Sequence, residues 1–227
     1  MNQPSFERII QIGSGYSAAK VLLSAVGLLI WRNALGSSGR PATDAAYQVY
    51  DPDASPLRGF ALEPPRPAPD FTLIDPEGQP FRLAQSQGEA RLLFFGYTEC
   101  PDVCPQTLTR LAAGLRALGP RAERARVIFI SVDPERDSLA HLQSYGAYFH
   151  PSILGITGDK ARLDPIVESY GAAYRKVESA SAMGYLIDHS SETYLIDRNG
   201  VLAEVLAHGT PPVDLLAALR RLLAQPQ

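Results

Sequence analysis

A chain of 227 residues, 45% hydrophobic and 20% charged, is long enough for one ordinary domain with extra chain beside it, and this composition excludes a disordered polypeptide. The formal net charge is only -3 and no basic block is longer than Arg220–Arg221, which argues against a nucleic-acid partner. Two cysteines are too few for a disulfide framework, leaving a reactive pair, a metal pair or two inert buried thiols.

At the N-terminus, residues 9–31 are largely apolar, but Gln11 and Lys20 interrupt them, and the unbroken core "VLLSAVGLLIW" (21–31) is 11 residues long. A spanning helix needs about 20 residues, so this is a marginal hydrophobic anchor, assigned to residues 1–34; an amphipathic helix packed on the domain is the alternative. Arg8 and Lys20 lie on its N-terminal side, as expected of an end that stays in the cytoplasm, and no convincing small-x-small cleavage site follows directly on Trp31. Residues 35–65 read as a Pro/Gly-rich linker: "LGSSGR" begins it, and six prolines fall between Pro52 and Pro69. The domain proper is expected over 66–226. An exported domain would sit in an oxidising compartment, where a cysteine pair can cycle.

Within the domain, "DFTLIDPEGQPFRLA" (70–84) predicts a hairpin around "DPEGQ". The continuous apolar runs "RLLFFGY" (91–97) and "RVIFISVD" (126–133) predict strands buried on both faces. Between them a helix is expected over 105–118, with Leu108, Leu111, Leu115 and Leu118 on one face and Pro105 at its first position. A second helix is predicted over 137–149, capped by Asp137, then a short strand or turn over 153–158. The helix over 160–171 must start late or kink at Pro165. A hairpin over 192–207 turning at Asn199–Gly200, and an amphipathic helix over 212–223, close the chain. This order predicts an α/β protein of thioredoxin-like fold. A central mixed sheet is flanked by helices, with an N-terminal β-hairpin and an insertion before the loop that carries His189.

Both cysteines, Cys100 and Cys104, lie in "FFGYTECPDVCPQTL" (94–108), just past the carboxyl end of a central strand, where open α/β sheets place their chemistry. Cys104 is expected near the helix N-cap and Cys100 in the turn before it. Unpaired N–H groups and the helix dipole there favour a thiolate. The pair is close enough in sequence to form a redox-active disulfide or to share a soft metal such as Cu(I) or Zn. Of the four histidines, His141 lies mid-helix, His150 ends a helix where a cation suits the dipole, and nothing singles out His208. His189 sits in a polar "DHSS" turn between apolar runs that can approach the cysteine loop. It is either a third ligand or a strand cap. Two thiolates and one imidazole suit Cu(I) and tolerate Cu(II), whereas structural zinc needs four ligands. Asp188 or Asp133 is expected to orient the imidazole, though either can simply cap a turn.

These blocks, "FFGYTECPDVCPQTL", "VIFISVDPERDS" and "YLIDHSSETYLID", resemble the SCO/SenC family of copper-binding, thioredoxin-like proteins over residues 60–224. The resemblance implies that Cys100, Cys104 and His189 are copper ligands, for Cu(I) and/or Cu(II), with Asp133 near the site. It implies a role in assembling the binuclear copper centre of cytochrome c oxidase. The partners would be the oxidase subunit carrying that centre, and other copper chaperones or thiol reductants. It also implies a membrane tether, with the domain facing the bacterial periplasm or the mitochondrial intermembrane space. Glu99 departs from the family, which often has His or an aromatic residue before the first cysteine.

Three functions compete: a copper metallochaperone, a thiol–disulfide oxidoreductase that reduces the copper acceptor's cysteines, and a peroxidase of the peroxiredoxin kind. Ordinary thioredoxin-like reductases carry C-x-x-C and a facing cis-proline. Here the spacing is one residue longer and no proline occurs between Pro165 and Pro211. Thr98 lies too close to Cys100 for a peroxidase. Copper delivery is the favoured reading.

Overall fold

The computed structural model describes residues 59–180 and 184–225. The segment read as an anchor (1–34) and the linker up to residue 58 lie outside the described residues. Among the described residues no helix is long and apolar enough to cross a membrane.

The chain enters the fold on strand β1 (Gly59–Pro67) and continues through a small hairpin of β2 (Thr72–Ile74) and β3 (Pro80–Arg82). Strand β4 (Ala90–Gly96), helix α1 (Val103–Ala117), strand β5 (Ala125–Ser131), helix α2 (Leu139–Phe149), strand β6 (Ile153–Ile156) and helix α3 (Lys160–Ser169) follow. The chain then makes β7 (Tyr174–Glu178), β8 (Tyr185–His189), β9 (Thr193–Ile196), β10 (Val201–Leu206) and helix α4 (Pro212–Ala224). The main sheet has the order β1-β10-β9-β4-β5-β6. β4, β5 and β6 are parallel, and the β4–β9, β9–β10 and β10–β1 pairs are antiparallel. The mixed α/β, thioredoxin-like architecture is the expected one.

β4 shows why a continuous apolar run marks a central strand. All seven of its residues are buried, because neighbours on both edges and layers on both faces leave no side in water. Arg91 is the polar exception: its fully buried guanidinium donates to the carbonyls of Leu83 and Asp197 and to Ser86 Oγ.

Several local expectations need correction. The Pro/Gly-rich linker expected over 35–65 does not run unstructured to its end: 59–67 forms the sheet edge against β10. Proline is tolerated on an edge strand, and Pro64–Pro65 fall where the register shifts between Ala61 and Arg66. Helix α1 begins at Val103 after Asp102, two residues before the expected start, because the N–H groups of the first turn have no partner within the helix, so Pro105 is accepted inside it. Helix α2 is capped by Ser138, whose Oγ accepts the His141 N–H at 3.2 Å, and not by Asp137. Helix α3 does not start late: Asp159 caps it, accepting the Arg162 N–H, and Pro165 lies inside.

The β9–β10 hairpin is closed by Asp197 N–H to Val201 O (2.8 Å) and Gly200 N–H to Asp197 O (3.1 Å). Its loop is therefore three residues with Gly200 at φ 86°, instead of a two-residue Asn-Gly turn. Finally, β7 was not foreseen. With β8 it makes a two-stranded ribbon separate from the main sheet, and His189 is the last residue of that ribbon, paired with Tyr174, not a residue of a free turn.

Candidate metal centre

Beyond Gly96 the chain leaves β4 and crosses to α1 through a loop that carries Cys100. Cys100 N–H donates to Tyr97 O (3.4 Å), and the Cys104 N–H at the start of α1 donates to Cys100 Sγ (3.4 Å). The helix terminus thus offers one of its spare donors to a sulfur, the anion-favouring arrangement expected of that position. Cys104 is fully buried and Cys100 is 9% exposed. Gly96 makes room for them: a Cβ there would lie 2.7 Å from Cys104 Sγ and 2.9 Å from the Phe129 ring. Glycine is needed because sulfur occupies the space of a side chain.

The loop is bolted down from beneath by Asp137, which is 1% exposed. Its carboxylate accepts from the Thr98 N–H (3.0 Å), the Thr98 hydroxyl and the Ser131 hydroxyl. This residue has no helix-capping role; it joins the end of β5 to the cysteine loop. Removing it orphans three buried donors, so Asp137→Ala is expected to destabilise the domain by about 3 kcal/mol, measured by urea unfolding, with copper affinity falling as the loop loosens.

His189 arrives from the far end of β8. Its Nδ1 lies 2.9 Å from the Ser190 carbonyl oxygen, which can only accept, so Nδ1 carries a proton and Nε2 is the nitrogen left to meet a metal. Nε2 faces the thiols, 3.3 Å from Cys104 Sγ and 4.0 Å from Cys100 Sγ. The ring is held edge-on by Phe94 (6.1 Å) and Tyr97 (5.8 Å). All three donor atoms lie within 4.8 Å of one another, the spacing a single ion requires.

An isolated two-stranded ribbon is marginal, so side chains must dock it. Tyr97 accepts the Ile187 N–H through its hydroxyl (3.2 Å). Arg136 donates to the Tyr185 carbonyl (3.0 Å) and stacks 3.6 Å over the Tyr185 ring, while Lys176 sits 3.8 Å from that ring. Asp133 receives the Tyr185 hydroxyl (2.8 Å) and pairs with Arg136.

Neither carboxylate expected to orient the imidazole does so. Asp188 pairs with Arg175 on the exposed side of the ribbon, because adjacent residues of a strand point to opposite faces and Asp188 cannot share a face with His189. Asp133 is engaged by Arg136 and Tyr185. The backbone carbonyl of Ser190 takes the orienting position, and a backbone group leaves no mark in sequence.

The two thiols differ in acidity. The hydrogen bond from Cys104 holds Cys100 well below the ordinary thiol range, with the His189 ring and the Asp102 and Cys104 N–H groups adding to it against burial. Burial first, and the neighbouring Cys100 second, push Cys104 above that range. The pair gives up its first proton at Cys100 and keeps the second. Because the depressed value lies below neutral pH, the Cys100 thiolate persists on acidification. Its alkylation by iodoacetamide in the metal-free chain is expected to change less than about twofold between pH 8 and pH 6, where an ordinary thiol slows by about tenfold per unit. Peptide mass spectrometry reads the rate, and a tenfold-per-unit slope removes the assignment.

The other histidines stay apart from the cluster. His141 is exposed on α2. His150 Nδ1 accepts the Ser152 N–H (3.1 Å), and burial with nearby Arg116 lowers its pKa, so it is not the helix-end cation expected. His208 Nδ1 lies 3.2 Å from Thr107 Oγ1. Glu99 is exposed beside Cys100. Sequence reasoning missed Gly96, Tyr97, Arg136 and the true role of Asp137. Only Gly96, the glycine interrupting an apolar strand just before the cysteine loop, carried a usable signal.

Comparison with known proteins places this geometry. The family model SCO1/SenC matches residues 61–224. An SCO2-like protein of Rickettsia conorii is 33% identical over 152 residues, covering 66% of this chain and 74% of its own. The structure of Bradyrhizobium japonicum ScoI with copper bound is 37% identical, with a TM-score of 0.63, covering 69% of this chain and 99% of that one. The solution structure of apo Sco1 from Thermus thermophilus is 37% identical, with a TM-score of 0.66, covering 74% and 97%.

Proposed function

This chain belongs to the SCO1/SenC family, and from that membership we propose that it binds one copper ion through Cys100, Cys104 and His189 and hands it on during assembly of the copper centre of cytochrome c oxidase. The observation that carries the reading is the convergence of two sulfurs and an imidazole nitrogen within 4.8 Å. Two soft thiolates and one imidazole suit Cu(I) and admit Cu(II); with no carboxylate in the cluster, hard cations such as Mg or Ca are poorly served. Copper is cargo here, and a cargo site must also release. Three protein donors leave a coordination position open for an incoming thiolate of the acceptor, so that ligands exchange one at a time. Cys100, the more accessible and more acidic thiol, is the donor that yields first.

A second reading keeps one observation in its favour: the pair has the asymmetry of an attacking and a resolving thiol. The Cys100 thiolate would attack one sulfur of an acceptor disulfide, expelling the other as a thiolate. Cys104, losing its proton to solvent, would then attack Cys100 Sγ and release the second acceptor thiolate. The acceptor gains two electrons and the chain ends as a Cys100–Cys104 disulfide. Against it as the main role, a histidine faces the pair where reductases present a cis-proline.

The apolar stretch at 21–31 supports a membrane tether, and with it a location for the domain in the periplasm or the mitochondrial intermembrane space. The decisive experiment is a copper titration of the reduced chain with X-ray absorption on the product. One equivalent of Cu with two sulfurs and one nitrogen in the first shell is expected; a site of four sulfurs, or of oxygens, would overturn the reading.

A further inference from the structure

We propose that Tyr97 is a positioning residue whose hydroxyl latches the β7–β8 ribbon, and that this latch sets how firmly copper keeps His189 as its third donor. The proposal rests on His189 being a copper donor.

β8 has β7 on one side, and the main sheet offers no neighbour on the other. Backbone groups on that free side need partners from side chains. The Ile187 N–H, on a residue 7% exposed, donates to the Tyr97 hydroxyl at 3.2 Å, and the Tyr185 carbonyl accepts from Arg136 at 3.0 Å. Of these two contacts the one at Ile187 is nearer the imidazole. Residues 185, 187 and 189 share one face of β8, and a step of two residues, about 6.6 Å, separates Ile187 from His189.

Tyr97 also belongs to the loop that carries the thiols. Its carbonyl accepts the Cys100 N–H at 3.4 Å, and it follows Gly96, against which Cys104 Sγ packs. Its ring meets the His189 ring edge-on, with centroids 5.8 Å apart and planes at 88°. The backbone of one residue thus holds the cysteine loop while its side chain holds the ribbon. The spacing from Nε2 to the sulfurs depends on both.

Phenylalanine at 97 keeps the ring and the backbone bond to Cys100 and removes one oxygen. The Ile187 N–H then loses its acceptor, which disfavours the docked ribbon. The thiols keep their own hydrogen bonds, so the loss is felt at His189 and not at the cysteines. The rival is a purely structural role, in which the hydroxyl stabilises the whole domain and copper binding merely follows.

Tyr97→Phe and His189→Ala, made singly and together in the reduced full-length chain, separate the two. Competition against a Cu(I) chelator is expected to show a loss of about tenfold for Tyr97→Phe. With His189→Ala already present, Tyr97→Phe should cost less than about twofold more, because the group it positions is gone. In the metal-free chain, changed amide nitrogen–proton resonances are expected in the ribbon, at Ile187, Asp188 and His189, with Cys100 alkylated at the parent rate. Should Tyr97→Phe fail to fold, Arg136→Lys, which weakens the next anchor along β8, is expected to lose about threefold with the same dependence on His189. Parent-like Cu(I) affinity in Tyr97→Phe overturns the proposal. So does an undiminished loss in the His189→Ala background, which would make the hydroxyl a general stabiliser. Unchanged affinity in His189→Ala alone removes the three-donor reading instead.

Discussion

Cys104→Ala is expected to weaken Cu(I) binding by more than about 100-fold, since even loss of a residue that merely orients a ligand costs 10–100-fold. The same substitution should leave the domain folded. Cys104 is fully buried, but exchanging a thiol for hydrogen removes one heavy atom, a cavity cost of about 1 kcal/mol against the 5–15 kcal/mol of a typical domain. His189→Ala separates the two functional readings. A carrier loses its third donor and much of its copper affinity, whereas a reductase keeps both thiols and continues to reduce an oxidised acceptor. The measurements are a competition titration against a Cu(I) chelator and a thiol assay of the acceptor. Unchanged Cu(I) affinity in His189→Ala would remove the three-donor site.

Gly96→Ala is the second large effect, and it needs no change to any donor. The new Cβ would stand 2.7 Å from Cys104 Sγ and 2.9 Å from Phe129 Cε2, both closer than real Cβ atoms come. Phe129 is fully buried and stacks on Phe94, itself fully buried, so neither ring has room to retreat. The sulfur must move, carrying the first turn of α1 with it. Overpacking of this kind costs about 1–3 kcal/mol, and the displaced sulfur opens the spacing to His189 Nε2, now 3.3 Å. Lower stability and lower copper affinity should appear together. Gly96→Ala with a wild-type copper titration would mean that the approach to Cys104 is more yielding than the packing indicates.

The parts of the centre were unequally visible in the chain. Cys100 and Cys104 were legible because the feature is local: two thiols a helical turn apart, after a run of apolar residues that can only be a buried strand. His189 was legible only in combination, since a polar "DHSS" between apolar runs describes many turns. Its protonation was not legible at all, because the group that sets it is the Ser190 carbonyl. Asp133 and Asp188 drew attention as charged residues near the right blocks. A strand's alternation sends Asp188 to the opposite face, and Arg136 and Tyr185 engage Asp133.

What the amino-acid order determined alone is the layered α/β plan and the places where it breaks for chemistry. Hydrophobic period and continuity depend on neighbours in sequence, so β4, β5, α1 and α4 could be read from them within a few residues. What only the tertiary structure decided are the features made by partners far apart in the chain. β1 becomes a strand because β10 offers it an edge. Asp137 becomes a bolt, not a cap, because Thr98 and Ser131 reach it first. The β7–β8 ribbon holds His189 over the thiols because Tyr97 and Arg136 dock it. Each of these is a hydrogen bond or ring contact across the fold, and its energy depends on separation in space, which local sequence pattern does not encode.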